Sequence, residues 1–283
     1  MNLDRREEGY ALIAAILSIV IFALMALTII NVTRSATIMG SAELDRVRLS
    51  AAADAGVAIA VHGLMLKDPA RRWAIDGKIR RETFDDMVLD IIVEDERGKI
   101  ALNLINKTQV GIMFAEFGLQ GIEQEAAIDG FMDWRDEDDD PRLRGAEFEV
   151  YAPKRIKPRN GELRSIGELA LIAGVGPALT QRITPFATVN FGTGEFDPRY
   201  ATPIAIRVSL DSEIASGFAE RNASLTRDGS IPAFRRSRAD SLIGRPLTIR
   251  VDAKRGVDAS ARRTVIVELT GSEVRPYVIR ARE

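Results

Sequence analysis

ALIAAILSIVIFALMALTII, residues 11–30, is a run of twenty positions without a charge, with Ser18 and Thr28 its only polar side chains. As a helix it spans about 30 Å, the thickness of a bilayer's hydrocarbon core. A cleaved secretory signal has a shorter apolar region, about 7–15 residues, after a basic start and before an A-x-A-like site. Here the run is longer and continues into Asn31, Val32, Thr33 and Arg34. Arg5, Arg6, Glu7 and Glu8 before it do not suit a helix buried in a globular core. The reading is a retained membrane helix. Its flanks do not orient it, because the ten residues before it hold two Arg against one Asp and two Glu, and mixed charges follow it.

The helical pattern outlasts the apolar run. No proline occurs from Thr33 to Leu66, and Ala, Leu, Met and Arg dominate there. Leu44, Val47, Ala51, Ala55, Ala58 and Met65 recur at helical spacing and form one apolar stripe, expected to lie against a soluble domain. Pro69 then closes the segment. One helix over residues 11–66 would be roughly 80 Å long, half of it in lipid.

The remaining residues are enough for one large domain or two small ones in a chain of 283. With 46% hydrophobic residues overall, the chain can bury a core. Thirty-nine basic residues against 41 acidic ones exclude a generally basic, nucleic-acid-coating protein. Cysteine is absent, so thiolate metal sites, disulfides and cysteine nucleophiles are excluded. His62 is the one histidine, which excludes a multi-histidine metal site and leaves a Ser-His-Asp triad a single option. The composition disfavours an enzyme.

Met87–Val93 and Lys99–Leu104 read as strands around a turn at Asp95, Glu96, Arg97 and Gly98. Helical spacing follows in Val110–Phe117 and Glu123–Trp134. Ser165–Ala173 opens on a capping signature, Ser165 with Glu168 three residues on, and Pro177–Ile183 starts with proline. Strand character returns at Ala187–Asn190, a helix is expected around Asp211–Arg221, and Leu247–Val251, Thr264–Leu269 and Val274–Ile279 alternate again. Strands on both sides of a helical block make the fold α+β, with helices inserted into a sheet.

Three features invite a chemical reading. Asp129–Glu149 holds nine acidic and three basic residues, and Asp136, Asp138, Asp140 and Glu147 occupy positions 1, 3, 5 and 12 of a calcium loop. Position 6, normally glycine, is Pro141, so this is no EF-hand; a solvated acidic loop is the alternative. Leu171–Leu179 carries Gly174-Val175-Gly176, similar to a helix-hairpin-helix turn that offers amides to a DNA phosphate. Its arginines are matched by Glu162 and Glu168, so tight helix packing by the glycines is the favoured reading, and a membrane-anchored DNA-binding or uptake protein the alternative function. Residues 221–283 hold fourteen Arg or Lys against seven Asp or Glu, expected on a solvated sheet face.

Glu8-Gly9 followed by Tyr10 and the apolar span resembles the leader of type IV pilins and of the pseudopilins of type II secretion. The resemblance implies cleavage by a prepilin peptidase between Gly9 and Tyr10 on the cytoplasmic side. It also implies N-methylation of Tyr10, a single span in the inner membrane lipid, and a periplasmic bulk. The soluble part narrows it. Asp95-Glu96-Arg97-Gly98-Lys99-Ile100 with Asn103, Asp133-Trp134 before the acidic run, Gly145-Ala146-Glu147 with Tyr151, Glu162-Leu163, Ile166-Gly167-Glu168-Leu169 and Ala187-Thr188-Val189-Asn190 follow in the order seen in the general secretion pathway protein K family. That family's fold is a pilin-like long helix on a small antiparallel sheet with a large helical domain inserted.

The resemblance divides the chain into a leader (1–9), the membrane half of the helix (10–32) and its periplasmic half (33–66). The first part of the sheet domain (67–104), the inserted helical domain (105–186) and the return to the sheet (187–283) follow. It implies a minor pseudopilin, not an enzyme, at the tip of the pseudopilus. There it would assemble with minor pseudopilins I and J for export of folded proteins through the outer-membrane secretin, without nucleic acid. It extends calcium binding to the acidic run, with Asp133, Asp136, Asp138, Asp139, Asp140 and Glu147 the nearest set. It also gives meaning to Ala14, the fifth residue after the cleavage point, where most pilins have a glutamate. A carboxylate at that depth costs a few kcal/mol and needs a partner. A subunit with no neighbour above it is better served by alanine.

Overall fold

The computed structural model describes residues 4–68, 70–211, 214–217, 241–256 and 259–282, and only the backbone of 4–14, 29–38 and 40–42. Pro69, most of the helix expected around Asp211–Arg221, and the tail before residue 241 lie outside the described residues.

Helix α1 (Asp4–Met65) runs through the apolar segment into the soluble part, 62 residues or about 90 Å. Two stretches of it are apolar. Glu43–Met65 is long and apolar enough to cross a membrane, with mean hydropathy 1.3, but half of it is buried against the sheet. Ala15–Thr28 is bare of protein, with Ile19 and Phe22 exposed. Its Thr28 hydroxyl donates to the Met25 carbonyl at 2.7 Å, which removes a donor from the apolar surface. The bare stretch fits a single-pass membrane anchor; the other is a core helix.

A five-stranded antiparallel sheet in the order β1–β2–β5–β6–β7 receives that core helix. The strands are β1 (Arg80–Phe84), β2 (Met87–Asp95), β5 (Pro246–Arg255), β6 (Ala259–Leu269) and β7 (Tyr277–Arg282). Register places Ile91 opposite Val251 and Val93 opposite Ile249, and Ile249 in turn opposite Val265. This apolar face closes on Leu49, Ala52, Val57, Val61 and Leu64 of α1. Gly56 makes the approach close, since a Cβ there would stand 2.6 Å from the Val251 side chain. The opposite sheet face is a ladder of ion pairs: Asp90 with Arg81 (2.8 Å) and Lys254 (2.7 Å), Asp252 with Arg262 (2.6 Å), Glu268 with Arg280 (2.7 Å). Much of the described C-terminal basic excess is thus paired on a solvated face.

Of the stripe Leu44, Val47, Ala51, Ala55, Ala58 and Met65, only Ala55 is even half-buried, so the stripe does not lie on the soluble domain. Leu44, Val47, Ala51 and Ala58 are exposed, as is Met65 at 42%. The helix is apolar on two faces, and the sheet takes the one carrying Leu49, Ala53, Val57 and Leu64, where Gly56 allows contact.

Between β2 and its neighbour β5 the chain leaves the sheet for some 150 residues. Strand β3 (Ile100–Ala101) does not fold back on β2 as the Asp95–Gly98 turn suggested; it pairs in parallel with β4 (Ala187–Thr188), which lies beyond most of the inserted helices. The helices α2 (Lys107–Glu116), α3 (Gly121–Arg135), α4 (Phe148–Tyr151), α5 (Gly176–Ile183) and α6 (Pro203–Ser209) form a second core around Phe114, Phe131, Trp134, Tyr151 and Ile183. Asn106 and Gln109 form a reciprocal capping box that starts α2. Ile166–Leu171 is a 3₁₀ helix without a Ser165 side-chain cap: Glu168 instead accepts from the Arg164 amide at 3.0 Å and from the Trp134 indole at 3.4 Å.

The supposed turn is a joint. Asp95 accepts from Arg245 Nε at 2.8 Å, and Arg245 also donates to Asp197 at 2.9 Å. Glu96 accepts from the hydroxyls of Thr248 (2.5 Å) and Thr188 and pairs with Lys99 at 2.7 Å. Gly98 lies so near Tyr200 that a Cβ would come within 2.5 Å of its carbonyl oxygen. One short segment therefore ties both strands of the sheet to both ends of the insertion.

Candidate functional site

The acidic loop leaves the C-terminus of α3 and is folded by one carboxylate. Asp133, in the last turn of α3 and fully buried, accepts on Oδ2 from the Ala146 amide (2.9 Å) and the Arg142 amide (3.1 Å). A Cβ on Gly145 would fall 1.7 Å from that oxygen, so only glycine fits there. This draws the loop back on the helix and delivers Glu147 to Asp133 and Asp136, with ligand oxygens of all three within 4.8 Å of one another.

Arg142, which sequence reasoning did not single out, lies among them. Its Nη1 meets Asp133 Oδ1 at 2.5 Å and also contacts Asp136 Oδ2. The balance is incomplete, since Asp136 Oδ1 and both Glu147 oxygens are buried without a hydrogen-bond partner. Burial, then the charges of Asp133, Asp136, Asp139 and Asp138, push the Glu147 carboxyl up to about 7. Glu147 is 5% exposed.

The residues of the twelve-position loop part company. Asp136 and Glu147 converge. Asp138 instead uses Oδ1 to accept from the Asp140 amide (3.0 Å), and Asp140 is exposed. Asp139 takes the Asn160 amide at 2.8 Å. Asp133, outside the loop numbering, completes the cluster. Asn160 was missed: it holds a left-handed φ of 44°, lines one cavity with Glu147 and Asp139, and has a buried, unpartnered Oδ1. Only its place before Gly161 hinted at a special backbone.

Calcium requires six to eight hard oxygens. Asp133 Oδ1, both Asp136 and both Glu147 oxygens, and Asn160 Oδ1 are of the right chemistry, and four of them are buried without partners. The donor set fits a hard divalent cation.

The hairpin-like turn serves packing. Gly174 and Gly176 have φ of 81° and 71°, and a Cβ on Gly174 would stand 3.0 Å from the Ala127 amide of α3. Tyr151 links the same turn to the acidic loop by accepting from the Ala173 amide at 3.0 Å. Gly9, Tyr10 and Ala14 all lie within α1, where their side chains are outside the described residues. His62 is exposed on α1.

Residues 92–191 match the family described as type II secretion system (T2SS), protein K. A type II secretion system protein K of Klebsiella pneumoniae is 27% identical over 212 residues, covering 62% of this chain and 62% of that protein. One of Dickeya chrysanthemi is 33% identical over 67 residues, 24% of this chain and 18% of that protein. The alignments thus span less than two thirds of these relatives' length. A chain of the crystal structure of the GspK–GspI–GspJ complex from enterotoxigenic Escherichia coli shares the fold, with a TM-score of 0.56 at 13% identity over 89% of this chain and 98% of that one.

Proposed function

We propose that this chain, whose residues 92–191 match the type II secretion system protein K family, is a minor pseudopilin that caps the pseudopilus and starts fibre assembly with minor pseudopilins I and J. The observation that carries this reading is the large helical lobe set into the sheet between β2 and β5, on a fold shared along 98% of a chain from a complex of such subunits. A lobe of this size would obstruct stacking of another copy above it, and Ala14 leaves no buried carboxylate waiting for one. The role is structural, without catalysis.

Anchoring follows the same reading. Ala15–Thr28 would lie in the inner membrane, with residues 1–9 removed by a prepilin peptidase in the cytoplasm, Tyr10 N-methylated, and the two cores in the periplasm. The outward stripe of α1, from Leu44 through Ala58, is an apolar face for the partners' helices, and small residues allow close approach. Calcium would be held by Asp133, Asp136 and Glu147 with Asn160, and it would supply the charge that the buried carboxylates lack.

Coexpression of the tagged full chain with pseudopilins I and J, followed by purification in mild detergent, tests the reading. The wild type is expected to retain both partners. Val47→Glu with Ala58→Glu, on an exposed face, is expected to lose them without a change in Tm. Failure of the wild type to retain either partner rejects the assignment.

A further inference from the structure

We propose that Arg142 is a built-in competitor for the metal, a guanidinium that latches the acidic loop when no cation is bound and must leave the carboxylates when one enters. The inference rests on the reading of the loop as a cation site. Arg142 Nη1 touches Asp133 Oδ1 at 2.5 Å and Asp136 Oδ2, one oxygen on each of the two carboxylates that cluster with Glu147. A guanidinium and a cation cannot both occupy those atoms.

The arrangement is incomplete for a purely structural pair. One guanidinium neutralises two carboxylates and leaves the third, Glu147, 5% exposed with neither oxygen paired. Asp136 also keeps one buried oxygen free. The Arg142 side chain is itself one-third exposed, so it has an open side toward which a long, flexible stem can turn. Its backbone is held independently: the Arg142 and Ala146 amides both donate to Asp133 Oδ2, the oxygen the guanidinium does not use at Nη1. The loop can therefore exchange one cation for another while its path stays pinned.

Two consequences follow. Arg142 lowers affinity, because a cation must displace a charge already in place. It also keeps the empty loop from opening under the repulsion of Asp133, Asp136 and Glu147. Calcium binding to the full chain in detergent is measured by titration calorimetry, with melting in chelator alongside, for the wild type, Arg142→Gln and Arg142→Lys. Arg142→Gln should bind calcium at least about tenfold more tightly, given a unit charge removed a few ångströms from the ion and partly screened by solvent. It should melt at a lower temperature than the wild type in chelator. Arg142→Lys, which keeps the charge, should stay near the wild type in both. Calcium binding by the wild type with unchanged or weaker binding by Arg142→Gln overturns the proposal alone. No calcium binding by any of the three overturns the metal reading and the proposal with it.

Discussion

Arg245→Met should reveal how strongly the joint between sheet and insertion holds. Arg245 is 6% exposed and Asp95 3%. The substitution removes the 2.8 Å bond from Nε to Asp95 and the 2.9 Å bond from Nη2 to Asp197, as well as a guanidinium 5.0 Å from the centre of the Tyr200 ring. Asp197 keeps Arg199 at 2.7 Å, but Asp95 is left with the Arg97 amide at 2.9 Å. Stranding a buried charge in this way costs about 3–5 kcal/mol. At roughly 2–4 °C per kcal/mol for a domain of this size, Tm should fall by about 10 °C.

The deficit should depend on pH. Burial pushes the Asp95 carboxyl above its ordinary range even with Arg245 opposing it, and loss of Arg245 pushes it further. With the folded pKa above the unfolded one, the folded state holds the proton more tightly, so stability declines as pH rises through that range and the penalty vanishes below it. Melting of the full chain in detergent should show a gap to the wild type that is wide at pH 7.5 and narrower at pH 4.5. Asp95→Asn added to Arg245→Met should recover part of the loss. A gap that is equal at both pH values and untouched by the second substitution would refute the stranded-charge reasoning.

The remaining predictions concern the metal and the leader. Calcium at a hundred times its dissociation constant should add roughly 2.7 kcal/mol to folding, read as a rise in Tm over chelator that Asp133→Asn or Glu147→Gln abolishes. In chelator, stability should decline as pH rises from about 4.5 to about 7, because the folded-state Glu147 pKa lies above its ordinary value; Glu147→Gln should flatten that slope. Mass spectrometry of protein from a host with the peptidase should find Tyr10 as the methylated N-terminus, leaving 274 residues (283 minus nine); an intact Met1 rejects processing.

The outline of the fold was legible because its signals are local. A twenty-residue apolar run, proline-free helical composition and alternating strands each identify an element without knowledge of its neighbours. Pairing was not legible. Asp95–Lys99 has the composition of a turn, yet Glu96 and Asp95 find partners in Thr248 and Arg245, about 150 positions away. The stripe on α1 was visible, but periodicity cannot say which of two apolar faces a sheet will take; Gly56 decides it through contact with Val251. At the acidic loop, the calcium-loop spacing pointed to Asp136, Asp138, Asp140 and Glu147, of which Asp136 and Glu147 converge. The role of Arg142 depends on a chain reversal created by Asp133 and Gly145, which no spacing rule encodes.

The most direct test of the central claim is the position of this subunit in the fibre. Pseudopili assembled in cells carrying a tagged chain can be isolated, labelled with gold through the tag, and imaged by electron microscopy. A subunit that caps the fibre places label at one end only. Labels at regular intervals along the shaft would contradict the account.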